Sequence, residues 1–287
     1  MTDSHDETIG LDGGEADTDP LTLSQTVRAN NVTRVKQLLQ GGANPEVCDA
    51  DDTTIPLIEA TLWGFAKVVE ALLLHGALPS HTDVINNTAL HWAIAACHWN
   101  CLMLLLNHGS PLETANYKFC TPLMQAAFYG HIEIVQCLID RGANVDQPLN
   151  SNKDSALTLA CEMGDNEIIG ILLKVGESNQ GAEVNRYEDS VDAPILAAIC
   201  GGNLDIVKLL IAYHANIEER NKVGYTPLML AAQKGAGDMV TELLDVGACI
   251  DAAANDGHET ALPIARAYNR KGVKEVLLTA LAQRNNP

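Results

Sequence analysis

The chain has 287 residues, of which 47% are hydrophobic, 19% charged and 4% aromatic, a balance typical of a folded protein with an aliphatic core. Its net charge of −19 disfavours direct binding of nucleic acid or anionic lipid, because both carry negative charge that such a surface repels. No stretch approaches the roughly 18 apolar residues that span a membrane, so no membrane-spanning segment is expected.

Residues 1–19 form the first segment of the chain. They contain seven Asp and Glu residues, no Lys or Arg, and little apolar content, which is typical of a disordered acidic tail. The start of the chain has neither the basic residues nor the apolar run of a secretory signal. The eight cysteines lack the spacing of a disulfide framework and are interpreted as reduced core residues. We therefore expect the protein in the cytoplasm, the nucleus or both.

Residues 20–287 contain an internal repeat. With Thr121 as the reference position of one unit, equivalent positions recur at intervals of 33 or 34 residues, with one interval of 38. The reference positions are Leu21, Ile55, Thr88, Thr121, Ser155, Ala193, Thr226 and Thr260. The corresponding units span approximately 20–49, 50–83, 84–116, 117–149, 150–188, 189–221, 222–255 and 256–287. So regular a period predicts one domain of stacked units.

Each unit carries the signals of two short helices joined by a turn. Thr or Ser at the reference position offers an oxygen that caps the first helix, at positions 88, 121, 155, 226 and 260. Aliphatic pairs four residues apart, such as Ile134-Val135 and Leu138-Ile139, give the second helix one apolar stripe. Glycines at positions 76, 109, 142 and 247 are predicted to end the second helix in a left-handed conformation. Such a unit cannot bury its apolar face alone, so stacking is expected.

Residues 121–146, which begin Thr-Pro-Leu-Met-Gln-Ala-Ala, resemble an ankyrin repeat, as do residues 226–235. The resemblance extends over residues 20–287. It implies an all-α ankyrin-repeat solenoid of stacked helix–turn–helix units with β-hairpin-like loops, whose usual activity is protein recognition on the concave face. Residues 152–161 are also similar to a repeat type of large multi-ankyrin proteins that carry an RNA-binding KH domain.

The resemblance also implies where a partner would bind. In the family, the contact positions are the loop residues just before the reference position and the two residues that end the first helix. Carried over to this sequence, they give these candidates: Asp51, Asp52, Trp63, Tyr117, Lys118, Phe128, Tyr129, Asp154, Glu162, Met163, Asp192 and Tyr225. Aromatic residues favour an apolar anchor on the partner, and the acidic residues favour Lys or Arg around it. The alternative is that Trp63 and Phe128 pack against the adjacent repeat.

Several features depart from the repeat pattern. Phe119 and Val191 replace the glycine expected at the loop tip, and neither readily adopts a positive φ, so regular loops are not expected there. The interval of 38 indicates an insertion near 177–185, interpreted as a tolerated surface insertion or as a partner-contacting loop. Polar residues in the first and last units are typical of caps. Trp92 and Trp99 are assigned to packing.

The sequence shows no signature of catalysis, and only one cluster resembles a metal site. That cluster is His91, Cys97, His98 and Cys101, but its histidines occupy structural positions of the family and Cys101 occupies a core position, so neither metal nor cofactor is expected. The predicted function is a non-catalytic, monomeric interaction module or scaffold that binds a protein or peptide. The alternatives are a nucleic-acid-associated regulator that acts through partner proteins, and a module that self-assembles through its acidic and basic ends.

Overall fold

The computed structural model describes residues 22–47, 55–146, 155–174, 182–185, 193–255, 257 and 259–285. Within these ranges the chain forms sixteen α-helices in eight consecutive pairs and no strand. The all-α prediction is therefore confirmed for this part of the chain. The predicted acidic tail 1–19 and most of the insertion at 177–185 lie outside the described residues, so both stay predictions.

The helices are short and alternate regularly along the chain. They are α1 Leu23–Arg28, α2 Val32–Gln40, α3 Pro56–Leu62, α4 Ala66–Leu74, α5 Ala89–Ala95, α6 Trp99–Asn107, α7 Pro122–Tyr129, α8 Ile132–Asp140, α9 Ala156–Met163, α10 Asn166–Lys174, α11 Pro194–Gly201, α12 Leu204–Ala212, α13 Pro227–Lys234, α14 Gly237–Asp245, α15 Ala261–Ala267 and α16 Lys271–Asn285. Odd-numbered helices are the first helices of the pairs, and even-numbered helices are the second.

The helix pairs stack in chain order. First helices pack on first helices, as α3 does on α5, α5 on α7 and α7 on α9, and second helices such as α2, α4 and α6 form a parallel row. The buried side chains form one hydrophobic cluster that extends from Leu23 to Leu277. Alanines at one equivalent position of the first helices are fully buried and permit the close approach of neighbouring helices: Ala60, Ala93, Ala126, Ala160, Ala198, Ala231 and Ala265. The stack leaves one surface formed by the first helices and the turns before them, called here the first-helix face.

Side-chain caps begin most of the first helices that the sequence singles out. The hydroxyls of Thr121, Ser155 and Thr226 each accept a hydrogen bond from the backbone N–H three residues later. The predicted cap at Thr260 is wrong, because its side chain makes no such bond. The third residue after Thr260 is Pro263, which has no N–H to donate.

The turns before α5, α7 and α13 share one geometry. In the turns 83–87, 116–120 and 221–225, the first residue's N–H donates to the last residue's carbonyl at 2.9, 3.1 and 3.1 Å. Asn86, Phe119 and Gly224 take the left-handed position, with φ of 58°, 56° and 89°. The expectation that Phe119 prevents a regular loop is wrong. The side-chain oxygen of Asn116 accepts the N–H groups of Lys118 and Cys120, and these bonds hold the turn despite the unfavourable φ.

A ladder of hydrogen bonds connects the loops of successive pairs. Backbone N–H groups at Leu78, Asn144 and Cys249 donate to the carboxylates of Glu46, Glu113 and Glu218, each 31 or 32 residues earlier. Asp146 accepts similarly from the N–H of Glu183. Part of the acidic excess therefore joins neighbouring repeats.

Candidate functional site

A groove of about 600 Å³ opens on the first-helix face between the third and fourth helix pairs. Four of the predicted partner-binding residues line it: Tyr117, Lys118, Phe128 and Tyr129. The groove is completed by residues of α5, α7, α9 and the adjoining turns: Asn87, Trp92, Ala95, Asn116, Phe119, Cys120, Gln125 and Leu159. The residues before α7 and those that end α7 therefore meet in one depression.

The aromatic side chains of the groove are largely accessible. Tyr117, Phe119, Phe128 and Tyr129 are each between 45% and 53% exposed. Phe128 and Tyr129 form an edge-to-face pair with ring centres 5.4 Å apart, and the Lys118 ammonium lies 5.7 Å from the centre of the Tyr117 ring. Aromatic rings in this number on an open surface leave apolar area that a bound protein could cover.

The remaining predicted site residues do not join this groove. Trp63, Glu162 and Met163 are exposed at the ends of α3 and α9 but do not line it. Tyr225 is half-buried, and its hydroxyl donates to the carboxylate of Glu259 in the next pair. Asp51, Asp52, Asp154 and Asp192 lie outside the described residues. The acidic rim that these four residues would form stays a prediction.

Two aromatic residues differ from their predicted roles, and a third has a role besides the predicted one. Trp92 packs against the hydrophobic cluster, as predicted, and it also lines the groove, where its indole N–H donates to the carboxylate of Asp83 at 2.8 Å. Phe119, regarded as an obstacle to the turn, also lines the groove. Trp99 is the first residue of α6, on the row of second helices, and it is 43% exposed, so its assignment to the interior is wrong. The sequence indicates that a first helix forms but does not show which of its side chains border a turn of the next unit.

The cysteines and histidines of the metal-like cluster have separate environments. His91 is fully buried beside the groove, with Nε2 3.2 Å from the carbonyl of Cys120 and Nδ1 3.2 Å from the N–H of Thr88. His98 Nε2 lies 3.2 Å from the carbonyl of Leu62. Burial raises the pKa of the Cys101 thiol to about 11, which keeps it uncharged, whereas Cys97 is exposed. In the described part of the chain, no three His, Cys, Asp or Glu residues form a group that could hold a metal ion.

His91 should make the stability of the fold depend on pH. Burial lowers the pKa of His91, because the loss of hydration disfavours the charged ring more than the Cys120 carbonyl and the Asp83 carboxylate favour it. Near and below the unfolded pKa of about 6.5, the unfolded chain binds more protons at this residue than the folded chain does. The free energy of unfolding should therefore fall as the pH is lowered from about 7.5 to 5.5, by at most about 1.4 kcal/mol for this one group.

The comparison that isolates this effect uses His91→Met, because Met124 and Met229 occupy the equivalent positions of two other units. Chemical denaturation of both proteins at each pH measures the difference. The variant should lack the His91 contribution to the pH dependence. An equal pH dependence in the two proteins would show that His91 is not held neutral.

The repeat architecture is matched by the sequence profile of the ankyrin repeats, in three copies at residues 23–116, 112–188 and 194–286. The chain belongs to the ankyrin repeat family. Ankyrin repeats generally mediate protein–protein interaction. Among the described residues, no helix of this ankyrin repeat protein is both long and apolar enough to cross a membrane.

Individual relatives support the same assignment. The chain is 30% identical to ankyrin repeat protein nuc-2 of Neurospora crassa over 195 residues, which is 67% of this chain and 18% of that protein. It is 36% identical to the ankyrin repeat and KH domain-containing protein mask-1 of Caenorhabditis elegans over 265 residues, 89% of this chain and 10% of that protein. The human ASB11 ankyrin repeat domain superimposes with a TM-score of 0.65 at 26% identity, covering 79% of this chain and 98% of that domain.

This ankyrin repeat protein spans only part of its curated relatives. Its matched region corresponds to between 10% and 33% of the length of five such proteins. The similarity therefore does not extend their whole-protein activities to this chain.

Proposed function

We propose that this chain is a non-catalytic interaction module that binds a protein or peptide partner on its first-helix face, the concave face of the family. The observation that carries the proposal is the grouping of exposed Tyr117, Phe119, Phe128 and Tyr129 around one groove. Large aromatic side chains are over-represented among the residues that dominate binding energy at protein interfaces. The predicted units, with the first and last as caps, would present this face as one continuous surface.

The partner is proposed to carry an apolar anchor with basic residues around it. The apolar rings supply the contact area, and the net charge of −19 attracts a basic surface at long range. Glu162 lies near the end of α9, the helix that contributes Leu159 to the groove, and with the acidic residues predicted at 51, 52, 154 and 192 it would extend this attraction. Trp63 and Met163 would lengthen the contact surface on either side of the groove.

Site-specific photo-crosslinking tests this proposal. Benzoylphenylalanine in place of Tyr129 should attach covalently to the partner in cells, because this side chain lies in the groove. The same residue in place of Trp99, an exposed aromatic position on the second-helix row, is the matched control. The proposal requires one protein to crosslink from position 129 and not from position 99. Crosslinking of the same protein from position 99 alone would overturn it, and a crosslink to a second copy of the chain would favour the self-assembly alternative.

A further inference from the structure

Unpaired hydrogen-bond acceptors lie along the first-helix face in three consecutive units. Glu59 Oε2, Asn87 Oδ1 and Gln125 Oε1 are buried side-chain atoms without a hydrogen-bond partner in the described part of the chain. Glu59, Trp92 and Gln125 hold the same position of α3, α5 and α7, four residues after the reference position. They therefore form one row, in which Trp92 stands between Gln125 and Glu59, whose other carboxylate oxygen, Oε1, accepts from Arg28 at 2.7 Å.

Two of these acceptors belong to the groove itself. Asn87 and Gln125 both line it, and Asn87 is only 7% exposed. A buried polar atom without a partner is unfavourable, so a bound group that supplies donors would relieve both amides. The terminal torsions of Asn and Gln are broad, and each amide can turn its oxygen towards such a donor.

The remaining lining indicates what kind of donor fits. The aromatic rings of Trp92, Tyr117 and Tyr129 line the groove, and the carboxylate of Asp83 accepts a hydrogen bond from the indole N–H of Trp92. A guanidinium group is planar, carries five N–H donors, stacks on aromatic rings and is more weakly hydrated than an ammonium group. A backbone amide offers one donor, and a lysine ammonium is compact and strongly hydrated.

We propose that the groove receives an arginine side chain of the bound protein. Its guanidinium lies over Trp92 and donates to the amide oxygens of Asn87 and Gln125. This inference rests on the proposed function, because it specifies the residue that the groove of the interaction module selects. Arginine, rather than basic charge in general, is the requirement.

Lys118 gives the proposal a second consequence. Its ammonium lies 5.7 Å from the centre of the Tyr117 ring, so the unbound groove already holds a cation on an aromatic surface. Lys118 is the one cation among the residues that line the groove, and it is exposed on a flexible stem. It would compete with an incoming guanidinium and repel it. Removal of the Lys118 charge should therefore tighten the binding of an arginine-containing partner. If the groove instead selected an acidic partner, the same change would weaken binding.

The test uses random dodecapeptides displayed on phage, selected on the full chain. Peptides that bind wild type and not Phe128→Ala/Tyr129→Ala are synthesised, and fluorescence anisotropy measures their dissociation constants. The selected peptides should share an arginine, and its replacement by lysine should weaken binding about tenfold, because an ammonium group is more strongly hydrated and cannot stack flat on the aromatic rings. Gln125→Leu should weaken binding by a similar factor; Leu159 and Leu230 occupy the equivalent positions, so the fold tolerates leucine there. Lys118→Met should tighten binding severalfold.

The matched control is Gln136→Leu, the same change at an exposed position of α8 in the same helix pair, which should leave binding unchanged. Two results would overturn the arginine proposal and leave the proposed function intact. The first is that the peptides whose binding requires Phe128 and Tyr129 lack arginine, and the second is that they bind Gln125→Leu as tightly as wild type. Weaker binding to Lys118→Met would also overturn it. A selection that yields no peptide dependent on Phe128 and Tyr129 would count against both proposals.

Discussion

Replacing Leu72 with alanine should lower the free energy of unfolding by about 2–5 kcal/mol. Leu72 is fully buried in α4, where it belongs to the hydrophobic cluster shared by neighbouring helix pairs. Truncation removes its contacts and leaves a cavity between stacked units, which the rigid neighbours cannot fully close. Chemical denaturation followed by far-ultraviolet circular dichroism measures the change.

The same helix supplies the control. Leu74 lies two residues further along α4 and is 67% exposed, so Leu74→Ala should change the free energy of unfolding by less than about 0.5 kcal/mol. Alanine is a strong helix former, and neither substitution should weaken α4 through its backbone propensity. Similar losses of unfolding free energy in the two variants would contradict the arrangement in which one side of α4 packs in the core and the other faces solvent.

The double variant Phe128→Ala/Tyr129→Ala should weaken partner binding at least about thirtyfold and leave the fold near wild-type stability. Interface hot spots each contribute about 2 kcal/mol or more, which corresponds to at least that factor in the dissociation constant. Both side chains are about half exposed at the end of α7, so their truncation creates no buried cavity. Titration of the partner identified by crosslinking gives the dissociation constant, and thermal melting reports the stability.

Trp99→Ala is the control for this experiment, because Trp99 is comparably exposed but lies at the start of α6. It should bind the partner as tightly as wild type. A folded double variant that keeps full affinity would show that the groove is not the recognition site. A double variant that unfolds would favour the alternative in which Phe128 packs against the adjacent repeat.

The repeat itself was readable from the sequence because each of its signals is local. The glycines at positions 76, 109, 142 and 247 all adopt a positive φ after their second helices, as predicted. Thr121 and Thr226 cap their helices as predicted, because the backbone N–H groups that bond to their hydroxyls lie only three residues later in the chain. Thr260 fails for a reason that is also local, since proline three residues later removes the donor.

The groove was only partly predictable, because it depends on contacts between units. Positions that end the first helix identified Phe128 and Tyr129, but nothing local indicates that Trp92 of the preceding unit borders the same depression. Phe119 was expected to disturb its turn, because a bulky residue at the tip disfavours a positive φ. The bonds that stabilise this turn come from the side chain of Asn116, three residues earlier, and a rule that considers only the tip residue does not include them. Gln125 has no unusual sequence context, and its significance follows only from its unpaired oxygen.

The central claim is that the first-helix face binds the partner. Its most direct test is hydrogen–deuterium exchange of the full chain, with and without the partner that photo-crosslinking identifies. Recognition by the first-helix face predicts slower exchange in α5, α7 and the turn 116–120 when the partner is bound. Exchange in α6 and α8, the second helices of the same pairs, should remain unchanged. Protection confined to α6 and α8 would contradict the claim and place recognition on the opposite side of the stack.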